Sequence, residues 1–220
     1  MKTIHFIFAM LFTLLLFTFY SCSTRIGPTT PVASGIKMSV SIQTINNSNA
    51  VYMTQYGAVI TDASGNSISG ATITVTSANG TFILTEPTPG LYIYQNGGAS
   101  AYIEAQDYEI NIAIASTTYT ALSKAPGGIT LAADGSNASW LSEGNLDMLT
   151  ILYPASSGQQ ILGPDLVSPL NISATGAYNH GSGTYSLGFI FTKTITNAFT
   201  NASTQSTLTF QDEYAVQIIK

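Results

Sequence analysis

The feature that most constrains this chain is a recurring two-residue alternation of apolar and polar side chains, with no sustained i, i+3, i+4, i+7 spacing to compete with it. Met38, Val40 and Ile42 alternate with polar neighbours, as do Ile73 and Val75, then Ile110, Ile112 and Ile114. Further on come Leu149, Ile151 and Tyr153, then Tyr185, Leu187, Phe189 and Phe191, then Tyr214, Val216 and Ile218. Successive side chains on a strand point to opposite faces, so each run predicts a strand with one buried face. Turn-forming stretches separate the runs: Asp62-Ala63-Ser64-Gly65-Asn66, Asn96-Gly97-Gly98, Gly127-Gly128 and Gly181-Ser182-Gly183. The expected fold is all-β, with short strands arranged as sandwiches.

Composition supports ordered β structure. The chain is 45% hydrophobic but only 8% charged, against roughly 25% charged in ordinary soluble domains. Disorder goes with low hydrophobicity and high charge, and neither holds. The missing charge is replaced by Ser, Thr, Asn, Gln and Gly, and Thr and Tyr suit the pleated outer face of a sheet. At 220 residues there is room for one large β domain or two of about 90 residues.

The N-terminus departs from this pattern. Lys2 precedes an apolar run from Phe6 to Tyr20, broken only by Thr13 and Thr18. As a helix that run would span about 22 Å, short of the roughly 30 Å hydrocarbon core of a bilayer. A basic start, a short apolar core and a small residue before a cut site predict a signal peptide over 1–21. The segment Phe19-Tyr20-Ser21-Cys22-Ser23 resembles the lipobox of bacterial lipoproteins, although Phe19 and Tyr20 depart from the usual Leu and small residue. The resemblance implies cleavage before Cys22, the only cysteine, diacylation of that residue, and anchorage in the bacterial cell envelope. Residues 22–36 then read as the lipidated cysteine and a flexible tether, with Gly27, Pro28, Pro31 and Gly35 among Ser and Thr. Extended, the tether would reach roughly 40 Å.

Two stretches carry a fold-level resemblance. Gly57-Ala58-Val59-Ile60-Thr61-Asp62 runs through Ser64-Gly65-Asn66 to Ile68-Ser69-Gly70-Ala71-Thr72-Ile73-Thr74-Val75. This is similar to the hairpin of bacterial Ig-like and carboxypeptidase-regulatory-like domains, families that use the domain as a scaffold or spacer. Tyr108 to Ala115 and Thr118 to Leu122 read as a closing hairpin. The second stretch, Ile129 to Leu131, Ala138-Ser139-Trp140, Leu149 to Tyr153 and Gly183 to Phe189, resembles a fibronectin type III or Ig-like sandwich. Pro164 and Pro169 predict a long connection with at most an edge strand between Tyr153 and Gly183. Two tandem Ig-like β-sandwiches are therefore expected, at 37–123 and 124–220.

Little in the chain points to chemistry. Loss of the signal segment removes Lys2 and takes the formal charge from −5 to −6. The remaining Arg25, Lys37, Lys124, Lys193 and Lys220 are scattered, so no basic patch exists for nucleic acid. A lone cysteine allows no internal disulfide. His180, the one histidine after the signal segment, sits in Asn179-His180-Gly181 and reads as a turn residue. No G-x-S-x-G elbow accompanies it, and no second histidine is available for a metal. Two acidic groups are candidate calcium ligands by composition, Glu104/Asp107/Glu109 and Asp134/Glu143/Asn145/Asp147. Neither follows a calcium-loop pattern, and both are expected to be solvated loops with no metal. Tyr92, Tyr94 and Tyr178 lie near turns and could stack on a sugar, whereas Trp140 is expected in the core. Asn46, Asn79, Asn137, Asn171 and Asn201 head N-x-S/T sequons that reflect composition alone. No catalytic residue and no cofactor are expected. The function expected is a non-enzymatic binding or structural module of the envelope, held to the membrane by its lipid and facing an envelope protein or a glycan. The alternatives are a glycan- or ligand-binding protein and, less so, a hydrolase whose carboxylates lie far apart in sequence.

Overall fold

The computed structural model describes residues 35–47, 50–96, 104–141, 146–152, 159–164, 166–173 and 184–219. The expected signal peptide, Cys22, most of the tether, Tyr178, His180, Glu143 and Asn145 lie outside those residues. In chain order the strands are β1 (Lys37–Asn47), β2 (Ala50–Thr61), β3 (Thr72–Ser77), β4 (Gly80–Ile83) and β5 (Thr85–Thr88). Then come β6 (Leu91–Asn96), β7 (Asp107–Ile114), β8 (Thr117–Lys124), β9 (Thr130–Leu131) and β10 (Asn137–Ser139). The rest are β11 (Met148–Leu152), β12 (Gln159–Leu162), β13 (Leu170–Asn171), β14 (Thr184–Thr196) and β15 (Thr207–Ile219). The protein is all-β and sandwich-like, as the alternation predicts.

One eight-stranded sheet, ordered β12-β11-β14-β15-β1-β2-β6-β5, forms a single long layer. Two smaller sheets cover its inner face side by side. The four-stranded sheet β4-β3-β7-β8 encloses a first core with Met38, Val40, Ile42, Tyr56, Ile60, Tyr92, Leu208 and Phe210 of the large sheet. The three-stranded sheet β13-β10-β9, with Trp140 and Ile172, encloses a second core with Leu149, Ile151, Leu187, Phe189, Phe191 and Tyr214.

The expected boundary between 37–123 and 124–220 separates the two small sheets, but the large sheet runs across it, taking β1, β2, β5 and β6 from one side and β11, β12, β14 and β15 from the other. β15 pairs in parallel with β1 from Ser39↔Thr207 to Asn47↔Ala215, and antiparallel with β14 along its whole length. The physical reason is strand length. A 13-residue strand runs about 43 Å, too long to be covered by one small sheet of shorter strands. β15 therefore places Leu208 and Phe210 in one core and Tyr214 in the other.

The local predictions fare unevenly. β7 and β8 form the expected hairpin, turning at Ala115 with φ +51°. Asp62 builds the expected turn, its Oδ1 accepting from the Ser64 and Asn66 amides at 2.8 and 2.9 Å. The chain pairs back on itself only briefly beyond that turn, at Thr61↔Ser67 and Ile68 N to Ile60 O, 3.0 Å. β2 stays in the large sheet while β3 crosses to the four-stranded one, with Gly70 at φ +78° on the crossing. The Pro-containing connection, expected to hold at most one edge strand, holds two, β12 at the edge of the large sheet and β13 at the edge of the three-stranded one.

Candidate functional site

The inner face of the large sheet is mostly apolar, and among the described residues its buried polar side chains fall along one cross-strand row. Register places Phe191 of β14 opposite Asp212, Asp212 beside Thr44 of β1, and Thr44 opposite Thr54 of β2. Asp212, Thr44 and Thr54 are each no more than 2% exposed. This row marks the seam between the cores, with Phe210 on one side and Tyr214 on the other.

Glu104, on the turn leading into β7, reaches down onto the row. Its Oε1 accepts from the Tyr214 hydroxyl at 2.8 Å, and that hydroxyl also lies 3.2 Å from Asp212 Oδ2. Glu104 Oε2 accepts from the Gly128 amide at 2.8 Å. The same turn is tied to the segment leaving β8 by Ala105 N to Pro126 O, 3.1 Å, and by Ala125 N to Gln106 O, 2.9 Å. Glu104 thus joins the turn before β7, the crossing at 125–128 and the large sheet.

Proton arithmetic makes this arrangement unusual. A tyrosine hydroxyl has one proton, and ionised carboxylates only accept. The Tyr214 hydroxyl meets an oxygen of each carboxyl. Its one proton cannot satisfy both fully unless a carboxyl carries another. Burial, then the neighbouring Glu104, pushes the Asp212 carboxyl well above its usual range. Burial and both carboxylates likewise raise the Tyr214 phenol. Asp212 Oδ1 and Thr54 Oγ1 are buried without a hydrogen-bond partner. Beside the row, Tyr56 hydrogen-bonds Tyr108, whose ring meets Phe210 edge-on at 5.7 Å. On the opposite face of β15, burial raises Glu213 to about 6.

The crossing needs Gly127. A Cβ there would lie 2.6 Å from the Ala105 nitrogen and 2.9 Å from its Cα, so the backbones touch only because the residue is glycine. We expect Gly127→Ala to destabilise the protein by about 1–3 kcal/mol, measured by denaturant unfolding; an unchanged midpoint would contradict the packing described.

The residues singled out in the sequence separate in space. Glu104 joins the seam, whereas Asp107 and Glu109 face outward on β7, Glu109 accepting from Asn111 Nδ2 at 2.8 Å. Asp134 accepts from the amide and hydroxyl of Ser136 within its own turn, and Asp147 accepts from the Thr194 amide. Among the described residues no three His, Cys, Asp or Glu gather as a metal would require. Tyr92 is buried, its hydroxyl donating to Ile68 O and accepting from Ala71 N. Tyr94 stacks on Tyr56 at 5.6 Å and contacts Phe82. Trp140 is in the second core, as expected, 6.4 Å from the Phe191 ring. The sequons at Asn79, Asn137, Asn171 and Asn201 are exposed.

Asp212 escaped the sequence reading. The available signal was its place in Leu208-Thr209-Phe210-Gln211-Asp212-Glu213-Tyr214, where alternation puts the aspartate on the apolar side. Fold and seam together define an all-β sandwich protein with a buried carboxyl, Asp212, met at the seam by the half-buried Glu104. Neither a protein-family model nor a curated protein matches the sequence.

Proposed function

We propose that the protein is a lipid-anchored component of the bacterial cell envelope that works as a non-enzymatic binding or structural module. The observation that carries the reading is Cys22, the sole cysteine, directly after Ser21 at the end of the apolar run Phe6 to Tyr20. The folded part suits a scaffold. The carboxyl pair most able to do acid–base work has Asp212 only 2% exposed, and a hydrolase would have to open that seam to a substrate. Tyr92 and Trp140, which could have served a glycan, are both buried. The outer face of the large sheet carries a row of uncharged amides, of which Gln55 is only 5% exposed. Gln211, Gln43, Gln55 and Gln95 stand in register on four neighbouring strands. Gln43 Nε2 donates to Gln211 Oε1, and Gln95 Nε2 donates to Gln55 Oε1 at 3.1 Å.

Mass spectrometry of membrane-extracted protein is expected to show a diacylated peptide beginning at Cys22, and Cys22→Ser protein should lose both processing and membrane retention. A Cys22→Ser chain processed and retained like the wild type would overturn the proposal.

A further inference from the structure

We infer that Glu104 and Asp212 hold one proton between them and form a pH-sensitive clasp, which fastens the turn at 104–105 and the crossing at 125–128 to β15 and slackens when that proton leaves. Three observations carry this. The Tyr214 hydroxyl meets an oxygen of each carboxyl, at 2.8 and 3.2 Å, but has only one proton to give. Asp212 is buried and its Oδ1 has no partner, so an ionised Asp212 would leave a charge with an orphaned lone pair in the interior. Glu104 reaches the crossing through Gly128 N and the sheet through Tyr214, so repulsion within the pair acts directly on the joint between the two small sheets.

No cation is among the charges that act on Asp212. β14 presents Phe191 opposite Asp212, with Lys193 two pairs further along opposite Phe210. Lys193 is not among the charges that act on Asp212, which come from Glu104 alone. β1 contributes Thr44, β2 contributes Thr54 and Tyr56, and β7 contributes Tyr108. Lys124 stands in register with Asp107 on the outward side of the β7–β8 hairpin, and Glu213 points to the other face of the large sheet.

The sign follows from which state holds the proton more tightly. A carboxyl raised by folding stabilises the folded state below its ordinary titration range, and that contribution is lost as pH rises through the raised value. Glu213 contributes in the same direction, but only from its ordinary value of 4.5 up to about 6.

The test is denaturant unfolding of the full-length protein above about pH 6, where the unfolding constant should rise by up to about tenfold per pH unit for one proton. Asp212→Asn, whose amide can donate to Glu104 and accept from Tyr214, should flatten that dependence, and Glu213→Gln should leave it intact. Infrared spectra of the wild type at neutral pH should contain a protonated-carboxyl band, a readout that stands even where Asp212→Asn fails to fold. Hydrogen exchange at the Gly128 amide, corrected for its intrinsic rate, should quicken with pH relative to Ile110. A flat wild-type profile, or the same slope in wild type and Asp212→Asn, would overturn the clasp. So would the absence of the infrared band, or a slope abolished by millimolar calcium, since the pair would then hold a cation and not a proton.

Discussion

Residues 37–123 produced alone are expected to show no cooperative unfolding transition. The segment contains the strands of a complete-looking sandwich, and sequence reasoning draws a domain around it. Yet its core is finished by Phe199, Leu208 and Phe210, each no more than 3% exposed and all outside the segment. Full burial of such side chains is worth about 1.5–3 kcal/mol each, so the three carry about 5–9 kcal/mol. That rivals the whole stability of a typical domain, about 5–15 kcal/mol. The segment would also leave β1 without its parallel partner, and Met38 N without the Ser206 hydroxyl that accepts from it at 3.1 Å. A half-apolar strand with one open edge invites aggregation. A sharp calorimetric transition from the isolated segment would show instead that the first core closes without β15.

Replacing Trp140 with alanine should cost about 3–5 kcal/mol, as large aromatic truncations in closed cores do. The indole is 7% exposed and belongs to the line of rings Trp140–Phe191–Tyr214, the second pair meeting edge-on at 5.7 Å. Its backbone is fixed on both sides by Ser168, whose hydroxyl accepts from Trp140 N and donates to Trp140 O, both at 2.9 Å. Because this is the only tryptophan, its emission reports the site directly. The wild-type spectrum should be blue-shifted and resistant to iodide, and the denaturation midpoint of the variant should fall steeply. Emission near that of free indole, with easy quenching and unchanged stability, would put the ring at the surface.

The sequence spoke clearly about faces and poorly about partners. Alternation identified the inward residues of β1, β3, β7 and β11, since a period of two states which side chains share a face. Asp62 and Trp140 were legible because their roles are local or set by bulk. Which sheet a strand joins depends on residues far away in the chain, and nothing in the period reports that. The two longest strands were both read short, and for the same reason. Apolar alternation on β14 runs through Phe191 and breaks at Lys193, and on β15 the run Tyr214, Val216 and Ile218 begins only beyond Asp212. In each case a charged residue occupies the inward parity, at or next to the seam. The candidate site was hidden by this same interruption. Glu104 drew notice only with Asp107 and Glu109, its neighbours in sequence, whereas its partner in space stands 108 residues later by numbering, 212 against 104.

The pairing of β1 with β15 also sets an order of events in time. The amide of Met38 meets the hydroxyl of Ser206 across a separation of 168 residues, and every rung of that ladder spans a similar distance. Chains whose contacts are so remote fold slowly, because a large loop must close before its contacts repay the lost entropy. Synthesis delivers the N-terminus first, so the earliest strand waits for the latest one. Over that interval β1 and β2 form at best a hairpin with an open edge. A low density of large apolar side chains on their outward face, where Ser39, Ser41, Gln43 and Gln55 stand, limits what that edge can capture while it waits.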